Sequence, residues 1–256
     1  MSRCPSCGGD LIAFGSTHRY CTFCGNTYGA DASASAPKPV DNNQKKSFDT
    51  GANVFESNIG SVLEIQWSDG RYLHSGSGFV ISADGYAITN THVVTAENGA
   101  SCGKVKVCIG ENMTAEAEVR KLGDNQHGHG SGIDLALIKI KGAGNLRPAR
   151  FANFASVRNG EQVFVIGNSL GYGTCITSGI VSDKRRDVDG DSLLMTDCAI
   201  NSGNSGGPMF NAAGDVIAVI VSGITGAEGM NFAIPADDVI DFINRCGENI
   251  NFRKSN

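Results

Sequence analysis

A chain of 256 residues is long enough for one two-lobed core plus a small extra module. Its net charge of −5 and 18% charged residues provide no field to attract nucleic acid or an anionic membrane. The longest apolar run, Val216 to Val221, is far too short to span a bilayer. Met1-Ser2-Arg3-Cys4-Pro5 opens without an apolar leader, so the expectation is a cytoplasmic protein with no membrane contact. The 34 glycines and short apolar runs favour an all-β body with many turns.

The first segment, residues 1–28, holds two Cys-x-x-Cys pairs, Cys4/Cys7 and Cys21/Cys24, separated by residues 8–20. This is close to the spacing of a four-thiolate structural zinc site. Gly8 and Gly25 follow the pairs, where a left-handed turn aims backbone amides at thiolate sulfur. The segment resembles a zinc ribbon, and the cofactor expected is structural Zn2+. So short a segment buries too little core to fold alone, and metal binding supplies the missing folding free energy. Residues 29–51 shift to Ala, Ser, Pro, Lys and Asn, which leaves nothing to bury and reads as a flexible linker.

From residue 52 to 250 the chain reads as a succession of strands. Val62–Trp67 alternates, Ser68-Asp69-Gly70 turns, and Tyr72 runs back towards Phe79-Val80-Ile81. Further strands are expected at Val105–Ile109, Ala115–Leu122, Leu135–Ile140, Val163–Ile166, Thr174–Val181, Ser192–Thr196, Val216–Val221 and Met230–Ile234. Lys184-Arg185-Arg186 reads as a solvated turn. After Pro235, the acids Asp237 and Asp238 mark a helix start, and Val239, Ile240, Phe242, Ile243 and Cys246 form one apolar face.

Three stretches carry chemistry. Gly203-Asn204-Ser205-Gly206-Gly207-Pro208 sets a hydroxyl among residues without bulk, so the backbone can turn sharply and approach a substrate. The Gly203 and Ser205 amides can then converge on one spot, as an oxyanion hole requires. Such a serine needs a base and an orienting carboxylate. His92 follows a strand–turn–strand pattern, and Asp134 leads the alternating strand Leu135–Ile140. Asp124, in a Gly-rich stretch with His127 and His129, is the weaker carboxylate candidate, because a loop holds it less rigidly. The order His, Asp, Ser is that of the chymotrypsin-like arrangement.

The strings GSGFVIS (76–82), ITNTHVV (88–94), DLALIKI (134–140), TDCAINSGNSGGP (196–208) and NFAIP (231–235) together resemble the trypsin-like serine proteases of the HtrA (Deg) family. The resemblance implies two six-stranded, chymotrypsin-like β-barrels with a C-terminal helix, His92 and Asp134 on the first barrel and Ser205 on the second. It implies a serine endopeptidase that needs no cofactor for catalysis and acts on polypeptides, unfolded or recruited, without ATP. It also places Ala199 and Ile200 at the base and side of the primary specificity pocket, with Ser222 and Gly223 as its wall. None is charged, so cleavage after small or medium apolar residues is expected. Asn204 stands where many digestive relatives have Asp, so no propeptide cleavage is expected. Too few residues follow Cys246 for the PDZ domain common in the family, which leaves the ribbon as the targeting or regulatory module, with a protein partner expected rather than nucleic acid. An inactive or latent protease scaffold whose ribbon binds a protein or nucleic-acid partner is the alternative. Cys102, Cys108, Cys175, Cys198 and Cys246, an odd number, are expected to be reduced and mostly buried. A thiol as near Ser205 as Cys198 raises the question of thiol-sensitive activity.

Overall fold

The computed structural model describes residues 4, 11–14, 18–21 and 27–29, and from residue 50 onwards all but 111–112, 125–131, 143, 145, 169–172, 189, 224–228 and 256. The chain divides into two compact units, Met1–Asp49 and Thr50–Asn256. In the first, β1 (Leu11–Phe14), β2 (His18–Cys21) and β3 (Thr27–Gly29) form an antiparallel meander.

The second unit opens with α1 (Thr50–Asn58), a helix where the linker was expected to run through residue 51. Its single buried apolar residue, Val54, joins the main core with the half-buried Phe55 packed beside it, and two adjacent apolar residues leave no helical period to read. The strands β4 (Val62–Ser68), β5 (Leu73–Val80), β6 (Tyr86–Thr89), β7 (Lys104–Ile109), β8 (Met113–Leu122) and β9 (Ala136–Ile140) then close into a barrel, in the order β4-β5-β6-β9-β8-β7. The β4–β5 hairpin is set by its turn. Asp69 Oδ1 accepts the amides of Arg71 and Tyr72, each at 2.8 Å, and Gly70 takes φ +90°. The Tyr72 amide, then the His74 side chain, hold the Asp69 carboxyl down at about 2.

After β10 (Arg150–Phe151) come β11 (Gln162–Asn168), β12 (Thr174–Val188), β13 (Asp191–Thr196), β14 (Pro208–Asn211), β15 (Val216–Gly223) and β16 (Asn231–Pro235). They pair in the order β14-β11-β12-β13-β16-β15, and the β14–β15 pairing closes a second barrel of six strands. The helix α2 (Ala236–Arg245) buries Val239, Phe242 and Ile243, one face at helical spacing, and β17 (Arg253–Lys254) pairs with β10.

Strand alternation builds two cores from one set of strands. In β5, Val80 points into the first barrel while Phe79 faces the core shared with the second, and in β9 Ile138 and Leu137 divide in the same way. Phe151 lies in the shared core, edge-on to Phe79 at 5.9 Å and to Phe252 at 5.8 Å between ring centroids. Truncating it opens a cavity that fixed strands cannot collapse around. Phe151→Ala should lower unfolding free energy by about 3–5 kcal/mol, read by chemical denaturation.

The Lys184-Arg185-Arg186 segment is not a turn. It lies within β12, paired with β13 across irregularities between Val181 and Asp183 and between Asp183 and Arg186. Arg185 reaches Asp237 at 2.6 Å and Asp238 at 2.9 Å on the first turn of α2, and Arg186 pairs with Asp183 at 3.1 Å. An outer hairpin arm with nothing to bury shows no apolar alternation, so its composition imitates a loop. Among the described residues, no helix is long and apolar enough to cross a membrane.

Candidate active site

His92 opens a 3₁₀ turn, His92–Val94, just after β6. The preceding residues staple this turn to the start of β9. Asn90 Nδ2 donates to the Asp134 carbonyl at 2.7 Å, and Thr91 Oγ1 donates to the Leu135 carbonyl at 2.6 Å. The Asp134 carboxylate is consequently held against the histidine, with Oδ2 at 2.6 Å from His92 Nδ1 and Oδ1 accepting the His92 amide at 3.1 Å. The Asp134 side chain is 3% exposed and that of His92 30%, so the imidazole carries its polar edge outward while the carboxylate stays dry. An ionised carboxylate only accepts, which places the proton on Nδ1 and leaves Nε2 as an acceptor. Asp124 has another partner. Its Oδ1 accepts the Ile133 amide at 2.7 Å. His127 and His129 lie outside the described residues.

Ser205 lies on the turn between β13 and β14. Asn204 N–H closes on the Asn201 carbonyl at 3.1 Å, and Gly203 at φ +96° is the third residue of that turn, the signature of type II. Gly206 has φ +81°, and a Cβ there would fall 2.3 Å from the Ser77 carbonyl oxygen and from Thr89 Oγ1, so only glycine fits. The Gly206 amide donates to the Ile220 carbonyl at 2.8 Å and the Ile220 amide to the Gly207 carbonyl at 2.9 Å, which lashes the turn to β15. The amides of Gly203 and Ser205 donate to no acceptor among the described residues. The Ser205 hydroxyl donates to the Val221 carbonyl at 2.9 Å rather than to His92. That carbonyl is available because β15 bulges between Ile220 and Ser222, which takes Val221 out of the β15–β16 register.

The residues expected to form a specificity pocket come from two segments, the stretch after β13 and the end of β15. Ala199 is exposed, and its carbonyl accepts Thr177 Oγ1 at 3.0 Å, while Ile200 packs half-buried against the second barrel. Ser222 and Gly223 lie at the end of β15, opposite Phe232 and Asn231. Cys198 is fully buried, and burial pushes its thiol up to about 11, which argues against a reactive thiol beside the site. Cys102, Cys108, Cys175 and Cys246 are free and half-buried. Burial pushes the thiols of Cys102, Cys108 and Cys246 up as well.

In the first unit, Cys4 is buried and Cys21 ends β2 opposite Leu11, whereas Cys7 and Cys24 lie outside the described residues. Soft thiolates in two Cys-x-x-Cys pairs are a donor set that fits zinc.

Two antiparallel barrels, one with a histidine–carboxylate pair and the other with a glycine-flanked serine turn, define the chymotrypsin-like class of fold. Residues 76–219, more than half of the chain, match the trypsin-like peptidase domain family, and the chain belongs to that family. An HtrA-type protease, AlgW, solved with a tripeptide, superposes with a TM-score of 0.66 at 28% identity, over 75% of this chain and 62% of that one. The serine endoprotease of Yersinia pestis superposes with a TM-score of 0.64 at 26% identity, over 82% and 67%.

Among sequence relatives, a probable periplasmic serine endoprotease, DegP-like, of Pseudomonas savastanoi pv. phaseolicola is 37% identical over 176 residues, 66% of this chain and 34% of the relative. The protein of the same description from Chlamydia pneumoniae is 39% identical over 183 residues, 68% and 35%. The chain thus spans about a third of the length of these curated relatives. Their periplasmic names correct the expectation of a cytoplasmic protein and point to the periplasm. That expectation rested on the lack of an apolar leader after Met1, and an absence at the start of a chain carries no information on compartment.

Proposed function

We propose that this protein is a serine endopeptidase acting on unfolded or recruited polypeptides without ATP, with Ser205 as nucleophile, His92 as general base and Asp134 as the group that orients it. The observation that carries this reading is the 2.6 Å contact between the dry Asp134 carboxylate and His92 Nδ1, which leaves Nε2 to take a proton. Ser205 Oγ attacks the scissile carbonyl as its proton passes to His92. The imidazolium, stabilised by Asp134, then protonates the leaving amine. Water hydrolyses the acyl-enzyme with His92 again as base. The open amides of Gly203 and Ser205 hold the oxyanion, where each well-placed donor is worth roughly 3–4 kcal/mol. Uncharged Ala199, Ile200, Ser222 and Gly223 leave a cationic side chain without a partner, which supports cleavage after small or medium apolar residues.

Cys4, Cys7, Cys21 and Cys24 would hold Zn2+, which as a structural cross-link supplies folding free energy to a short segment. The ribbon then serves as a targeting or regulatory module with a protein partner.

The hydrogen bond from Ser205 to the Val221 carbonyl favours a second reading, a peptidase that is latent until substrate reaches the site. In that reading the hydroxyl leaves Val221 for His92 only when substrate binds. Fluorophosphonate labelling of the full chain tests both. Prompt labelling of resting protein supports a site active at rest, and labelling only after unfolded protein is added supports latency. Folded protein that stays unlabelled in both conditions would overturn the peptidase reading.

A further inference from the structure

We infer that Ser77, on the first barrel, is a positioning residue that holds the turn bearing the Gly203 and Ser205 amides in its type II form. The inference rests on the serine-peptidase reading above and adds to it the residue that keeps the oxyanion site assembled. Ser77 is fully buried on β5, between Gly76 and Gly78 and ahead of the buried Phe79 and Val80. An alanine would fill the same space, so the hydroxyl is there for its bonds.

Every polar group of Ser77 is engaged. Its hydroxyl donates to the Gly203 carbonyl at 2.6 Å and accepts the Asn168 amide at 2.9 Å. Its backbone amide donates to the Ser205 carbonyl at 2.9 Å, and its carbonyl accepts Thr89 Oγ1 at 2.7 Å. One residue of the first barrel therefore binds two carbonyls of the serine turn and the end of β11, all from the second barrel.

The bonds fall on the peptides that decide the turn. Type I and type II turns differ by a flip of the peptide between the second and third residues, here the one that carries the Gly203 amide. The peptide after it is held at both ends, by Ser77 Oγ on the Gly203 carbonyl and by the Asn201 carbonyl on the Asn204 amide. The Ser205–Gly206 peptide is likewise held at both ends, by the Ser77 amide and the Ile220 carbonyl. The peptide between these two carries the Ser205 amide and is held from both sides, and the Gly203–Asn204 peptide pinned by Ser77 directly follows the one that carries the Gly203 amide, at a residue with φ +96°. Without the hydroxyl, the Gly203 carbonyl loses its anchor and the flip becomes available.

The test is Ser77→Ala in the full chain, assayed with a peptide p-nitroanilide bearing an apolar residue before the scissile bond. A misaligned donor is a milder loss than a removed one, so kcat should fall about 10- to 100-fold while KM stays within about twofold. Affinity for the matching peptide boronic acid, whose boron bonds to Ser205 Oγ as the proton passes to His92, should fall by the same factor as kcat/KM. A loss of packing alone would not move these two together.

Hydrogen exchange over residues 201–207 gives a readout that needs no activity, and it should quicken at least about tenfold as the turn opens locally. Unchanged kcat, unchanged exchange, or a fall in kcat with boronate affinity retained would overturn the role given to Ser77. A wild-type chain that neither cleaves the peptide nor takes the fluorophosphonate would instead overturn the peptidase reading, and the exchange comparison would still decide on Ser77. Ser77→Cys, which exchanges the strong donor for a weak one, must show the same pattern if the alanine variant does not fold.

Discussion

Replacing Ser205 with alanine should lower kcat by roughly 10⁶-fold and abolish fluorophosphonate labelling, with little change in stability. Among the described residues the hydroxyl makes one hydrogen bond, to the Val221 carbonyl, at a half-buried position, so its removal leaves the turn's backbone bonds in place. The loss is in chemistry alone. Steady-state cleavage of an unfolded protein by the purified variant, beside its thermal melting, separates the two. A folded variant that kept more than about 1% of turnover would show that another group attacks the substrate, because the amides of Gly203 and Ser205 can stabilise an oxyanion but cannot form an acyl-enzyme.

Asp134→Asn should lower kcat by about 10⁴-fold with the fold intact. Two bonds make this an unusually clean substitution. Oδ1 accepts the His92 backbone amide and Oδ2 sits on Nδ1. In asparagine, the oxygen must stay on the backbone amide, since the reverse orientation would set two donors face to face. The NH2 group then points at Nδ1 and forces it to be an acceptor, so the imidazole proton moves to Nε2. A histidine protonated there cannot take the serine proton. Full pre-steady-state labelling and turnover curves would measure the loss. A fall of less than about tenfold would remove Asp134 from the orienting role, and Asp124 would not replace it, because its Oδ1 is bonded to the Ile133 amide.

Much of this is legible in the amino-acid sequence. Glycine on both sides of Ser205 announced a turn where side chains do not fit, and the φ values of Gly203 and Gly206 give the reason. The alternation in Leu135–Ile140 announced a strand led by a carboxylate. The acids after Pro235 and the spacing of Val239, Phe242 and Ile243 announced α2. Each of these signals is local, written within one element's own period or turn chemistry.

What the sequence could not state was set by contacts between distant segments. The helix α1 forms because Val54 finds the main core, and β12 extends through a basic run because Arg185 meets the acids of α2. Ser77 reads as an ordinary small residue in a strand until the fold sets it against Gly203 and Asn168. The Val221 carbonyl meets Ser205 only because a bulge lifts it from its ladder. The amino-acid sequence by itself determined the β-rich class, the candidate nucleophile, base and carboxylate, and the paired cysteines, since these depend on residue type and short spacing. Tertiary structure alone decided which groups meet, which carbonyl receives the Ser205 hydroxyl and which residue pins the serine turn, because hydrogen bonds between strands far apart in the chain exist only once both barrels have closed.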